Sequence, residues 1–325
     1  MKVRMEPFLA GLPLLALALA ALLPLAASTQ DFLILTMYYF LVAASWGLLT
    51  GFTGQYSFAQ AGLAAFGAYV AGGVAVRFGW PIWTGFVVAP AAGLLVGALL
   101  GLVALRVRGV QLSLITFAVA SAFGVFLAAN AELTGGSMGM QVPRLTEASG
   151  RGPYLLIAGA AATAYLVMQD GLLASGLGMK MQAVRDDEQV AFGLGVDVYR
   201  VKVTAFALSA AVASFAGAFY AAYVGILAPS MVSVSEMATI VAMAVVGGLG
   251  YRYGALVGAF ALQGIAFAVR DFGAQYTLLI TSALSLAVIL FFRGGLIHAG
   301  ESLIRRVRIA RAQGLLRKRN PAEVS

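Results

Sequence analysis

The chain has 325 residues, of which 61% are hydrophobic and only 10% are charged. Soluble domains carry about 25% charged residues, so this composition excludes an ordinary soluble globule. The chain has no cysteine and one histidine, which offers no disulfide, thiolate or metal-ligand cluster. Its net charge of +8 indicates cytoplasmic loops and contact with anionic lipid rather than nucleic-acid binding.

Apolar runs of about 20 residues follow one another along the chain and predict an all-α, polytopic integral membrane protein. They lack the alternation that membrane barrel strands show. We expect about ten spans, at 8–27, 32–50, 55–76, 81–105, 109–130, 153–173, 203–227, 237–250, 254–269 and 276–292. Only residues 251–253 separate the eighth span from the ninth, so these two are either one bent element or two half-length helices.

The distribution of basic residues predicts the orientation of the spans. With the N-terminus in the cytoplasm, 17 of the 21 Lys and Arg residues face the cytoplasm. The other four are Arg77, Arg144, Arg151 and Arg270. We therefore expect both termini in the cytoplasm and the protein in the plasma (inner) membrane of a prokaryote. The first apolar segment also has features of a cleavable signal peptide, and its cleavage would leave the later spans unchanged.

These features divide the chain into three parts. Residues 1–30 are an N-terminal segment with the first span, 31–293 a transmembrane domain, and 294–325 a basic cytoplasmic tail. Two loops exceed hairpin length: an external loop at 131–152 and a cytoplasmic loop at 174–202. Small residues recur at every fourth position on several spans, for example Gly93, Gly97 and Gly101. Such stripes let helix backbones approach closely, either within one bundle or against a second subunit.

Uncharged polar residues enter the membrane after the Gly51–Gly54 break. We expect Gln55, Ser57 and Gln60, with Gln111 on the fifth span, to line a translocation pathway, because irregular polar backbone is tolerated where it borders a cavity. The alternative is that these side chains cap helix ends and bond neighbouring helices. No charged residue lies in the middle of a predicted span, which disfavours an ion-coupled secondary carrier without excluding it.

The chain contains no phosphate-binding loop, no nucleophile–base set and no metal-ligand cluster, so we expect neither enzyme activity nor a cofactor. If ATP drives transport, another subunit must hydrolyse it. The cytoplasmic loop is where such a subunit could dock. Its residues 182–194 fit a short amphipathic helix with Ala183, Val184, Val190, Ala191 and Leu194 apolar and residues 185–188 facing solvent.

Four separated blocks resemble the LivM-type permease of branched-chain amino acid ABC transporters. They begin at Leu48, Leu133, Ala183 and Val245, and the resemblance runs from about residue 32 to 294. It implies that Arg185, Asp186, Asp187, Glu188 and Gly195 form the coupling helix that contacts the ATPase. At 190–193 and at Met138 the chain departs from the family pattern.

The resemblance also implies a complex and a fold. The complex would hold two ATP-binding subunits, a second permease, identical or homologous, and a periplasmic solute-binding protein that largely selects the solute. Relatives in the superfamily move urea or short amides, so these remain alternative solutes. The implied fold is an inverted repeat in which spans two to five mirror seven to ten.

Overall fold

The computed structural model describes residues 11–22, 26–104, 107, 109–145, 150–270, 279–280, 283 and 295–298. In chain order its helices are α1 (Leu12–Leu22), α2 (Ala27–Thr53), α3 (Gln60–Phe78), α4 (Gly85–Ala104), α5 (Val110–Ala129), α6 (Ala131–Thr134), α7 (Gly152–Ala174), α8 (Gly176–Asp186), α9 (Glu188–Gly193), α10 (Val198–Val224), α11 (Val234–Gly247) and α12 (Gly254–Val269). Short 3₁₀ turns occupy Ile82–Thr84, Gly136–Met138 and Pro229–Val232. Two strands, β1 (Met140–Gln141) and β2 (Ile226–Leu227), pair antiparallel.

The helical architecture follows the predicted apolar runs. Six helices, α2, α3, α4, α5, α7 and α10, are long and apolar enough to cross a membrane, whereas α11 and α12 are shorter apolar helices. The eighth and ninth predicted spans are therefore two separate half-length helices. The predicted span at 276–292 and the tail from 299 onward lie outside the described residues, apart from isolated positions. The count of ten and the inverted repeat remain predictions.

Helices α2 and α10 form the centre of the bundle. Each has 27 residues, about 40 Å at 1.5 Å per residue. In each helix, 72% of the residues in the most apolar stretch are buried. Helix α10 packs against α2, α3 and α4, and α2 also packs against α7, α11 and α12. By contrast, only 28% of the corresponding residues of α4 and 22% of those of α5 are buried. These two helices therefore present most of their apolar surface to the outside of the bundle.

Glycines allow the central helices to approach closely. A Cβ atom added at Gly97 of α4 would lie 2.4 Å from the Ala210 Cβ of α10, and one at Gly93 would lie 2.2 Å from the Ser214 Oγ. Farther along α10, a Cβ at Gly217 would meet the Ala64 carbonyl oxygen of α3 at 1.8 Å. These stripes are thus filled by packing inside one chain, as the first of the two interpretations expected.

Polar contacts stabilise the end of the bundle where α2 begins and α10 ends. Asp31, in the second turn of α2, accepts hydrogen bonds from Arg151, whose Nη2 lies 3.0 Å from Asp31 Oδ2, and from the Tyr223 hydroxyl of α10. The β1–β2 pair joins the loop after α5 to the chain after α10. The Arg144 Nη2 donates to the Val224 carbonyl at 3.0 Å. The loop at 131–145 is therefore attached to the C-terminal end of α10 and to the segment that follows it.

Candidate functional site

The loop between α7 and α10 folds as a helix, a break and a second helix. Helix α8 ends at Asp186, Asp187 adopts an extended backbone at φ −160° and ψ 115°, and α9 starts at Glu188. The expectation of one continuous amphipathic helix over 182–194 is therefore wrong. The cause is the Asp187 side chain, whose Oδ1 accepts from the backbone N–H groups of Gln189 at 2.8 Å and Val190 at 3.0 Å. Aspartate is a favoured N-cap because it satisfies such free donors.

The coupling segment, defined here as residues 176–195, is held to α10 by a short ion pair. The Lys202 Nζ lies 2.6 Å from a Glu188 carboxylate oxygen, and the Lys202 side chain is only 5% exposed. Gly195 follows α9 with a φ of +81°, which L-residues with a Cβ rarely adopt, and lets the chain turn toward α10. Glu188 and Asp187 thus make contacts within the chain that shape the segment.

The apolar residues of the coupling segment divide between two sides. Met181, Val184 and Ala191 are buried. They belong to a cluster that also contains Leu49 of α2, Leu112 of α5, and Val198, Val201, Ala205 and Phe206 of α10. On the other side Val190, Phe192 and Leu194 are exposed. The prediction of one apolar face carrying Ala183, Val184, Val190, Ala191 and Leu194 is therefore wrong for Val190 and Leu194.

Arg185 joins the coupling segment to the C-terminal end of α2. Its Nη1 donates to the Gly51 carbonyl oxygen at 3.0 Å, and its Nη2 lies 2.8 Å from Asp186 Oδ1. Gly51 in turn packs against the turn between α11 and α12, because a Cβ at Gly51 would lie 2.8 Å from the Gly250 nitrogen. One arginine therefore stands where α8, α2 and the α11–α12 turn meet.

A buried ion pair connects the turn between α11 and α12 to α7. Arg252, whose side chain is 7% exposed, pairs with Asp170 of α7, and its guanidinium carbon lies 5.0 Å from the centroid of the Tyr253 ring. A cavity of about 10 Å³, room for one water molecule, lies beside the turn. Gln169 lines this cavity, and its buried Oε1 accepts no hydrogen bond from the described residues.

The break between α2 and α3 is buried and polar. Gln55, Ser57 and Gln60 are each at most 3% exposed. The Trp46 Nε1 donates to the Ser57 carbonyl at 2.6 Å, and the Gln60 Nε2 donates to the Ser209 hydroxyl of α10 at 3.2 Å. These contacts provide partners for backbone and side chains that lipid cannot satisfy. Polar groups in this break hold α2, α3 and α10 together.

The predicted pathway residues fall in two environments. Gln55, Ser57 and Gln60 come together inside the chain, and the Oε1 atoms of both glutamines are buried without a donor from the described residues. Gln111 is exposed in the first turn of α5. Neighbouring positions of α5 face the break, since the Thr116 hydroxyl accepts from the Phe58 backbone N–H at 3.0 Å.

Sequence reasoning missed two ion pairs at this end of the bundle, Lys202–Glu188 and Asp170–Arg252. A signal existed for the second pair. In the predicted orientation, Asp170 lies at the cytoplasmic end of the sixth span, and Arg252 lies in the cytoplasmic turn between the eighth and ninth spans. Opposite charges at one membrane face could have been proposed as a pair.

Comparisons with known proteins identify the family of this chain. A family model described as the permease component of branched-chain amino acid transport systems matches residues 28–292. The chain belongs to this family. It is 29% identical to the high-affinity branched-chain amino acid transport system permease protein LivM of Escherichia coli (strain K12), over 87% of this chain and 73% of the relative. It is 28% identical to the protein of the same name from Salmonella typhimurium (strain LT2), with the same coverage. No solved structure gives a significant match.

Membership of this family defines the broad activity. The chain is a multi-pass membrane protein and a permease subunit of an ATP-binding-cassette importer. The resemblance to LivM-type permeases is thereby confirmed. The family is one of transport permeases and not of enzymes.

Proposed function

We propose that this permease carries branched-chain amino acids inward, driven by ATP that two partner subunits hydrolyse. The complete importer would also contain a second permease, identical or homologous, and a periplasmic solute-binding protein. It would lie in the inner membrane of a prokaryote with both termini in the cytoplasm. The names of both relatives support the solute class.

Two groups of contacts mark the two ends of the bundle in the proposed orientation, which the distribution of basic residues supports. The Asp31–Arg151 pair lies at the end of α2 assigned to the outside. The Arg185–Gly51 contact and the Asp170–Arg252 pair lie at the end assigned to the cytoplasm. In this orientation the coupling segment faces the compartment that contains ATP.

The observation that carries the coupling proposal is the two-sided coupling segment. Its buried side packs on α2, α5 and α10, while Val190, Phe192 and Leu194 are 59%, 66% and 79% exposed. Exposed large apolar residues grouped on a short segment are typical of a protein interaction surface. We infer that these three residues enter a groove of the ATPase subunit, as helix-in-groove recognition requires.

The charged residues of the segment have complementary roles in this proposal. Asp187 and Gly195 set the shape of α9, and Glu188 fixes it to α10 through Lys202. Arg185 passes displacement of the segment to α2. The Asp186 side chain, 69% exposed, is the acidic group available to a partner.

The pathway proposal keeps Gln55, Ser57, Gln60 and Gln111. The buried glutamine oxygens without donors are suited to accept hydrogen bonds from a solute or from water when the helices part. Gly54, which adopts a φ of +70°, lies at the α2–α3 break and is suited to act as a hinge there. Rearrangement about this residue would expose the glutamine oxygens.

The coupling proposal is tested on the reconstituted complex with its ATPase subunits. The double variant Phe192→Ser/Leu194→Ser should fail to retain the ATPase subunits during purification and should lose ATP-driven leucine uptake. The matched control is Tyr199→Ser, because Tyr199 is also exposed, at 57%, but lies on α10 beyond the segment. Full uptake by the double variant would refute the docking surface.

The solute class is tested on the wild-type complex. Uptake of leucine, isoleucine and valine into proteoliposomes should require ATP on the side of the coupling segment. Urea and acetamide serve as competing solutes. Uptake driven by an ion gradient without partner subunits would contradict the importer mechanism, and preference for urea or acetamide would contradict the solute class.

A further inference from the structure

Glu236 lies in the membrane although it is close to the end of its own helix. It is the third residue of α11, and its carboxylate accepts a hydrogen bond from the Tyr39 hydroxyl of α2 at 2.7 Å. Tyr39 is eight residues from Asp31 at the outer end of α2, about 12 Å along the helix. It is twelve residues from Gly51 at the inner end, about 18 Å. Because the hydrocarbon core is about 30 Å thick, this carboxylate lies well inside it.

Three tyrosine rings pack together next to the carboxylate. The Tyr39 hydroxyl contacts Glu236 directly. The ring centroids of Tyr38 and Tyr39 are 5.0 Å apart, and those of Tyr38 and Tyr220 are 4.8 Å apart. A carboxylate beside several aromatic faces attracts cations through charge and through the ring quadrupoles.

Glu236 lies where α11 meets an irregular segment of the chain. The residue is half-buried, and the two residues before it, Val234 and Ser235, are exposed. The chain reaches this depth through the irregular segment 225–233, whose 3₁₀ turn at Pro229–Val232 packs against α3 and α5. Such non-helical backbone at membrane depth is tolerated where protein covers it or where it borders a water-filled cavity.

A purely structural role would not require a carboxylate. A glutamine could accept the same hydrogen bond from Tyr39 without the energetic cost of an ionisable group in the membrane. Among the described residues, the contacts of this carboxylate that the structure shows are with tyrosines, which are neutral. The negative charge thus suits a cation that is present only during transport.

We propose that Glu236, with Tyr38, Tyr39 and Tyr220, binds the ammonium group of the amino acid as it crosses the outer half of the membrane. The inference rests on the proposed function, because it needs a solute that carries an ammonium group. It assigns an intramembrane cation site to a position outside the polar break between α2 and α3.

The test uses the full complex in proteoliposomes, with the binding protein outside and ATP on the side of the coupling segment. Glu236→Gln keeps the acceptor for Tyr39 and removes the charge, and it should lower leucine uptake at least tenfold. Tyr39→Phe removes the hydrogen bond but keeps the charge and the ring, and it should lower uptake less than Glu236→Gln does. Glu132→Gln is the matched control, because Glu132 is exposed at the outer surface. It should stay within twofold of wild type.

The outcomes separate this site from the general function. If Glu236→Gln transports like wild type, or if Tyr39→Phe lowers uptake as much as Glu236→Gln, the carboxylate has only a structural role and the site is refuted. If Glu236→Gln does not assemble, Glu236→Asp decides: retention of at least a third of wild-type uptake supports the site, and a tenfold loss contradicts it. Failure of the wild-type complex to import any branched-chain amino acid would instead refute the proposed function.

Discussion

Replacing Asp170 by Leu should destabilise the chain by about 2–4 kcal/mol. Removing one partner of a buried ion pair costs about 3–5 kcal/mol, because the other charge stays buried without compensation. The remaining Arg252 side chain is 7% exposed, so bulk water compensates little for the lost carboxylate. The Tyr253 ring, 5.0 Å from the guanidinium, still contributes about 1 kcal/mol through a cation–π contact.

The opposite substitution should be milder. Arg252→Met leaves the Asp170 side chain, which is 30% exposed and can be hydrated, so we expect a loss of about 1–2 kcal/mol. The double variant Asp170→Leu/Arg252→Met removes both charges and should lie within about 1 kcal/mol of wild type.

Equilibrium unfolding by sodium dodecyl sulfate in mixed micelles measures these free energies. Asp197→Asn is the control, because the Arg200–Asp197 pair is exposed at 88% and 49% and Asn still caps α10. It should change the free energy of unfolding by less than about 0.5 kcal/mol. Equal losses for the two single variants, or a double variant as unstable as Asp170→Leu, would refute the argument from burial.

Three further substitutions test the packing and the coupling segment. Gly97→Ala should force α4 away from α10 and lower the yield of folded protein in detergent, whereas Gly73→Ala, where an added Cβ meets nothing within 4 Å, should preserve it. Asp187→Ala should cost about 1 kcal/mol of α9 stability, seen as faster hydrogen exchange of the α9 amides, and unchanged exchange would contradict the cap. Arg185→Met should leave the basal ATPase activity of the complex intact but reduce leucine uptake, since the link to Gly51 is lost; wild-type uptake would argue against that link.

The membrane spans and the small-residue stripes could be predicted from local pattern alone. A span needs only a run of apolar residues of sufficient length, and Gly93, Gly97 and Gly101 are four residues apart on one helix face. The partner of a stripe could not be predicted in the same way. That α4 packs against α10 in this chain, and not against a second permease, depends on tertiary contacts between distant segments.

The coupling segment shows where local reasoning fails. Its hydrophobic pattern fits a single helix, but Asp187 caps a second helix and rotates the apolar positions that follow it. Glu236 shows a related failure. The sequence correctly indicates that it lies near a helix end, but its carboxylate contacts Tyr39 near the middle of α2. The position of Glu236 within the bundle is therefore known only from its contact with Tyr39 of α2, which is distant in the sequence.

The contacts at the inner end explain how a small displacement there could reach the whole bundle. Protein cores are close-packed, so a segment that moves carries its buried neighbours with it. Met181, Val184 and Ala191 share one cluster with Leu49 of α2 and Leu112 of α5. Arg185 adds a directional link to the C-terminal carbonyls of α2, and Gly51 carries that link to the α11–α12 turn. Movement of the coupling segment would therefore shift α2, α5 and α11 together. Because α11 carries Glu236 and α5 packs against the turn before it, the same shift would change access to the carboxylate.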